Sequence, residues 1–347
     1  MGQPVHVVGV DIGGTTIKAA AATPQGELLP VRAACPLDCR PRRAGRVRPG
    51  SEVRSPTQRG SGQAILEGIL ETIGQAIEEA GLASADIAAV GIGAPGGVDR
   101  KRGLWGGSTT IHLGMRVSLT DMVKERFGIP AFIDNDGNVA ALGEMHFGAG
   151  ADVQDMIYIT LGSGVGEAII IDGQIHYGRG RIAGEIGHMI VQRDGPPCGC
   201  GAHGCLEALA SATAMIREAQ NALQAGEPTL IRELIEGDPT QLNGEIIARA
   251  AQQGDEVALR IWRKAGEALG VAIYSLAMLL GPEAIIIGGA LAQAGDILLN
   301  PMYKKLEQES SGRFDPRQVR MAALGERTGL MGGVALALRH KDVWTSS

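Results

Sequence analysis

The sequence predicts an α/β fold in two related halves, and three observations predict it. Runs of β-branched residues alternate with helix-patterned stretches along the chain. A strand–glycine loop–strand unit occurs twice, at residues 5–22 and 156–171. Glycine is abundant at 52 residues, where a frequency of about 7% would give roughly 24. The excess has no three-residue period, so it signals tight turns and close backbone approach rather than collagen. At roughly 150 residues per domain, a chain of 347 residues makes about two domains.

Residues 5–10 are a β run ending in Asp11-Ile12-Gly13-Gly14-Thr15-Thr16, and residues 17–22 are its return strand before a Pro24-Gln25-Gly26 turn. Residues 65–80 carry helical spacing closed by Gly81, and 87–92 read as a strand. A helix over 119–127, a short strand over 131–133 and a helix starting at 139 follow. The second hairpin pairs 156–160 with 168–171 around Leu161-Gly162-Ser163-Gly164-Val165-Gly166. Beyond residue 205 the pattern is helical over 206–222, 245–253 and 256–280. A buried strand over 284–287 ends in Gly288-Gly289, and 330–339 is a last helix. Residues 35–62 break the pattern with seven Arg, four Pro, four Gly and a charge of +5, and read as a mobile, solvated loop.

The net charge of −6 argues against a nucleic-acid backbone binder. The Arg-rich segment has no interleaved aromatic residues, so it does not resemble a single-strand platform either. Asp11 interrupts the first apolar run and no basic stretch precedes it, so neither a signal peptide nor membrane association is expected. The longest apolar run, near 269–280, suits a buried helix. The expected location is cytoplasmic, where clustered cysteines point to metal rather than disulfides.

Four motifs carry chemistry. The first glycine loop, with Thr15 and Thr16, offers backbone N–H groups and hydroxyls to an anion, and Asp11 at the strand end offers an oxygen to Mg²⁺. It is neither a Walker A loop nor a dinucleotide fingerprint, since a strand follows the glycines. Gly162–Gly164 offers a second such loop. Asp134-Asn135-Asp136-Gly137-Asn138 lies where α/β proteins place catalytic groups, although each residue also suits a turn or cap. Gly184-Glu185-Ile186-Gly187-His188 followed by Cys198-Gly199-Cys200-Gly201-Ala202-His203-Gly204-Cys205 suits a tetrahedral Cys₃His zinc site. A closed set of four ligands makes that zinc structural. Spacing alone leaves His188 and His203 as rival imidazoles. Cys35 and Cys39 read as bystanders. Glu185 and Glu207 flank the loop, either as fixed ligand-binding groups or as surface side chains.

The chain resembles the sugar kinases of the ROK (repressor, open reading frame, kinase) family, within the actin-like ATPase superfamily. The resemblance runs from Val8-Gly9-Val10-Asp11-Ile12-Gly13-Gly14-Thr15 to Gly329-Leu330-Met331-Gly332-Gly333. Its specific part is Gly184–His188 joined to Cys198–Glu207. It implies two actin-like, ribonuclease H-like α/β domains with a cleft between them. One is a small domain over 1–134 with a C-terminal helix at 329–345. The other is a large domain over 135–328, holding the zinc loop and a dimerisation surface.

The resemblance also implies residue roles. Asp136 would be the catalytic base. Gly96, Gly97, Asn135, Asp136, Glu185, His188 and Glu207 would bind the sugar. Asp11, Gly13, Gly14, Thr15, Thr16, Lys18, Gly162, Ser163 and Gly164 would hold ATP phosphates and Mg²⁺, with Gly288 and Gly289 near adenosine. His188, Cys198, Cys200 and Cys205 would bind zinc, His188 serving sugar and metal at once. The implied reaction is ATP-dependent phosphorylation of a hexose at its 6-hydroxyl, with glucose the first expectation. N-acetylmannosamine, N-acetylglucosamine and fructose are the alternatives, as is a sugar-binding regulator without a DNA-binding domain. Homodimers or dimers of dimers are implied. The sequence departs from the family pattern at Glu167, where a third loop glycine is usual, at His112 and Met115, at Gly137, and in the Arg-rich 35–62 segment.

Overall fold

A computed structural model describes residues 5–31, 52–58, 60–108, 110–179 and 183–340. The chain divides into two compact units, residues 1–151 with 326–347, and residues 152–325.

The first unit is built on β1 (His6–Ile12), β2 (Thr16–Ala22), β3 (Val53–Pro56), β4 (Ile87–Ala94) and β8 (Ala131–Asn135), in the order β3-β2-β1-β4-β8. β1 and β2 form the antiparallel hairpin, and β4 and β8 add in parallel. Strand alternation sends Val8, Val10 and Ile12 into a core with Ile65, Ile69 and Ile73 of α1 (Gly62–Glu79). Val7 faces the opposite way, onto Val334 and Ala337 of α10 (Thr328–His340). Gly9 shares that face for a steric reason. A Cβ there would stand 2.5 Å from the Leu330 carbonyl oxygen and 2.7 Å from Val334 Cγ2. A separate three-stranded sheet, β5 (Val98–Asp99), β6 (Leu104–Gly107) and β7 (His112–Ser118), leads into α2 (Leu119–Phe127). Gly128 ends α2 in the left-handed conformation at φ 73°.

The second unit repeats the plan. Its sheet runs β11-β10-β9-β12-β13, from β9 (Met156–Leu161), β10 (Val165–Ile171), β11 (Gln174–Ile175), β12 (Ala284–Gly288) and β13 (Val319–Met321). β9 and β10 are the antiparallel hairpin, and β12 and β13 add in parallel. The helices are α4 (Glu207–Ala210), α5 (Ala212–Gln224), α6 (Ile231–Leu234), α7 (Gly244–Gln252), α8 (Glu256–Leu280) and α9 (Asp296–Ser310). Asp255 caps α8 by accepting from the Ala258 amide at 2.8 Å. Gly266 and Gly270, one turn apart, let α9 close on α8. A Cβ at either would lie 2.6–2.7 Å from an α9 carbonyl oxygen. No described helix is long and apolar enough to cross a membrane.

Two expectations change. Residues 53–56, placed in the loop, form β3 on β2 instead, with Val53 buried in the core. Of the expected loop 35–62, residues 35–51 and 59, Cys35 and Cys39 among them, lie outside the described residues. A domain boundary at residue 134 places the helix after residue 135 in the large domain, whereas α3 (Asp136–Phe147) belongs to the first unit. It seats there because Gly143 meets α10 directly, where a Cβ would stand 2.7 Å from the Thr328 carbonyl oxygen. The β5–β7 sheet, α9 and β13 were not anticipated.

Candidate active site and metal centre

In the first unit, the parallel register aligns the candidate residues at the ends of neighbouring strands. Asp11 pairs with Gly93, Gly93 with Asp134, and Ala94 with Asn135. The two aspartates at the end of β8 then part ways. Asp134 is buried, and its Oδ1 accepts from the Asn135 amide at 2.8 Å and from Asn138 Nδ2 at 3.1 Å. Asn135 caps α3 by accepting from the Gly137 amide at 2.9 Å. Asp136 is solvent-facing, with Oδ1 receiving the same Gly137 amide at 2.9 Å. Surrounding protein mass raises the Asp136 pKa above the ordinary carboxylate value, against the local hydrogen bonds that lower it.

Asp11 is also raised, first by burial. Lys18 opposes the shift, while the charges of Asp136 and Glu52 add to it. Lys18 Nζ lies 3.8 Å from Asp11 Oδ2 and donates to the Glu326 carbonyl at 2.8 Å. Carboxylates that crowd Asp11 in this way suit a divalent cation bound through oxygen. The first glycine loop is braced from outside: Gly13 donates to the Thr16 carbonyl at 3.0 Å, and Thr57 Oγ1 donates to the Gly13 carbonyl at 2.7 Å. Gly14 and Thr15 remain exposed. Gly96 (φ 80°) and Gly97 are exposed beside buried Trp105, whose indole N–H donates to the Pro95 carbonyl at 2.9 Å.

Sequence reasoning missed Thr57, which hid in the presumed loop, and the role of Gly329. A Cβ at Gly329 would stand 2.6–2.8 Å from the Asp11 carboxyl atoms. The signal for it was the glycine pattern of residues 329–333 at the start of an apolar helix.

In the second unit, Gly162, Ser163 and Gly164 join β9 to β10. Gly162 donates to the Gly164 carbonyl at 2.9 Å, and Thr213 Oγ1 donates to the Ser163 carbonyl at 2.7 Å. Gly288 pairs with Thr160, and Gly289 (φ 89°) presses on Leu161, so both sit beside this loop. Glu207 accepts from the Val165 amide at 3.0 Å. Glu167 accepts from the Gly187 amide at 3.3 Å.

The metal cluster unites His188, Cys198, Cys200 and Cys205, with all four ligand atoms within 4.8 Å of one another. His188 Nδ1 lies 3.6 Å from Cys198 Sγ, and Cys200 Sγ lies 3.7 Å from Cys205 Sγ. A tetrahedron with metal–sulfur bonds near 2.3 Å has edges of roughly 3.8 Å, so these separations fit zinc. Burial pushes the Cys205 thiol up to about 12, and a bound cation is the natural means of holding it as thiolate. His203 is not part of that cluster, and its backbone pairs with Pro197 in a β-bridge. With Nδ1 toward the thiols, His188 turns Nε2 to the other side, 3.9 Å from Glu185 Oε2. Glu185 and His188 are both exposed.

The ROK family model matches residues 7–340. A glucokinase of Halalkalibacterium halodurans is 34% identical over 339 residues, covering 96% of each chain. The crystal structure of a ROK family glucokinase from Streptomyces griseus in complex with glucose and AMPPNP is 34% identical, with a TM-score of 0.74, covering 96% of this chain and 99% of that one. The ROK hexokinase of Thermus thermophilus superposes with a TM-score of 0.76 at 29% identity, covering 97% and 99%. Family model, relatives and fold agree, and the chain belongs to the ROK family.

Proposed function

We propose that this protein transfers the terminal phosphoryl group of ATP to the 6-hydroxyl of a hexose, with glucose the preferred substrate. The observation that carries the reading is Asp136. It is the one carboxylate of the 134–138 motif left facing solvent, while Asp134 and Asn135 hold the local turn and helix cap. Its raised pKa makes it a stronger base than an ordinary carboxylate.

Asp136 takes the proton from the attacking hydroxyl, and Asn135, Glu185, His188 Nε2 and Glu207 orient the sugar ring. Gly96 and Gly97 line the sugar through bare backbone. The amides of the 13–16 and 162–164 loops, with Thr15, Thr16, Ser163 and Lys18, hold the phosphates, and Gly288 and Gly289 leave room for the adenosine. Asp11 would hold the Mg²⁺ that accompanies ATP, and that ion would neutralise charge developing on the transferred group. Zinc would fix the loop bearing His188 and Glu207 and takes no part in proton transfer. The 34% identity to a glucokinase over 96% of the chain favours glucose among hexoses. A homodimer is part of this proposal and rests on the family likeness.

The test is ADP release with ATP across glucose, fructose, N-acetylglucosamine and N-acetylmannosamine. Glucose-dependent release supports the reading. Sugar binding without turnover on any of the four would replace the kinase with a sugar sensor.

A further inference from the structure

Two carboxylates tie the metal loop to the glycine hairpin of the same unit, in opposite directions. Glu207, two residues beyond Cys205, accepts from the Val165 amide on the hairpin at 3.0 Å. Glu167, on the hairpin strand β10, accepts from the Gly187 amide at 3.3 Å. Gly187 lies in the single turn Ile186–His188, between proposed sugar ligand Glu185 and metal ligand His188. Its neighbours in that turn make local bonds: Ile186 donates to the Gly184 carbonyl, His188 to that of Glu185 and Met189 to that of Ile186. The turn rests directly on β10, where a Cβ at Gly187 would stand 2.9 Å from the Val165 carbonyl oxygen.

We propose that Glu167 is a positioning residue that sets the orientation of the turn carrying Glu185 and His188. A histidine aiming Nδ1 at a thiol cluster and Nε2 outward has little rotational latitude. A charge-assisted bond to the adjacent amide fixes the backbone from which the ring hangs. The same contact aims the Glu167 carboxylate at the metal loop, so the acidic residue that interrupts the glycine run has an assigned partner.

The kinetic part of the test rests on the proposed kinase reading, and the spectroscopic part does not. Glu167→Ala, Glu167→Asp and Glu167→Gln are made in the full chain with Co²⁺ in place of zinc, whose absorption reports tetrahedral thiolate geometry. Ala removes the acceptor and Asp is one methylene too short, so both should shift the cobalt bands. Both should also lose cobalt to EDTA about tenfold faster, as expected for one such hydrogen bond. Both should raise KM for the hexose five- to tenfold, with kcat and KM for ATP within about twofold of wild type. Gln retains an acceptor oxygen and should restore spectrum, release rate and KM. Wild-type cobalt bands and release in Ala and Asp would overturn the proposal, and so would a Gln variant as defective as Ala. Should Ala not fold, the Asp and Gln pair decides alone. Absence of turnover on every hexose would remove the kinase reading and leave the cobalt comparison to judge Glu167.

Discussion

Replacing Asp136 with Asn separates its chemical role from its structural one. Asn keeps the Oδ1 acceptor that receives the Gly137 amide at 2.9 Å, and Asn135 holds the same amide independently at 2.9 Å. The start of α3 should therefore survive. What is lost is the proposed base. General-base loss lowers rates by about 10²–10⁴-fold, or roughly 3–5 kcal/mol of barrier at 1.36 kcal/mol per decade. The loss should fall on kcat, with KM for sugar nearly unchanged, if the proton moves only in the transition state.

Stability should move the other way. Because the folded pKa of Asp136 is raised, its ionisation weakens the fold as pH rises through that value. The stabilising state is the protonated one, fully present below the ordinary 3.8. Asp136→Asn should thus match or exceed wild-type Tm at pH 7, with the difference closing below about pH 4. The assays are steady-state kinetics and thermal melts across pH. A variant retaining more than about a tenth of wild-type kcat would refute the assignment, since a loss of less than about tenfold falls short of even the low end of the expected range.

Cys205→Ser should purify with almost no zinc by elemental analysis, against about one per chain for wild type, because a closed four-ligand site loses a buried thiolate; a full complement of metal would contradict the ligand set. Thr57→Val removes the hydroxyl donated to the Gly13 carbonyl at 2.7 Å. It should cost about 1 kcal/mol in denaturant melts and raise KM for ATP more than KM for sugar. Asp255→Ala strips acceptors from the Ala258 amide, the Leu230 amide and Thr229 Oγ1. It should destabilise by about 2–3 kcal/mol without altering KM for either substrate.

What the sequence revealed follows from how local each signal is. The two hairpins were legible because glycine turns and β-branched runs act over a few residues, and their repetition matches the shared order of the two sheets. α8 was legible from its length and apolar spacing, with Asp255 before it and Gly281 after it. The β5–β7 sheet was not, since β5 and β6 have only two and four residues and glycines interrupt both β6 and the longer β7. α9 hid behind a polar sequence with Pro301 inside it. The ownership of α3 is a tertiary matter, decided by how Gly143 meets α10. At the metal centre, composition identified the ligand types, but spacing could not choose between His188 and His203. The structure brings His188, not His203, within reach of the three cysteines. Likewise, nothing in the run Asp134-Asn135-Asp136 says which carboxylate is consumed by caps. That depends on where β8 ends and α3 begins.

The central claim is hexose phosphorylation by ATP, and product identity tests it most directly. Purified protein incubated with ATP, Mg²⁺ and glucose should form glucose 6-phosphate in a one-to-one ratio with ADP. The same protein should show a higher kcat/KM for glucose than for N-acetylmannosamine. A clear preference for N-acetylmannosamine would contradict the substrate assignment, and ADP formation without any sugar phosphate would contradict the phosphotransfer itself.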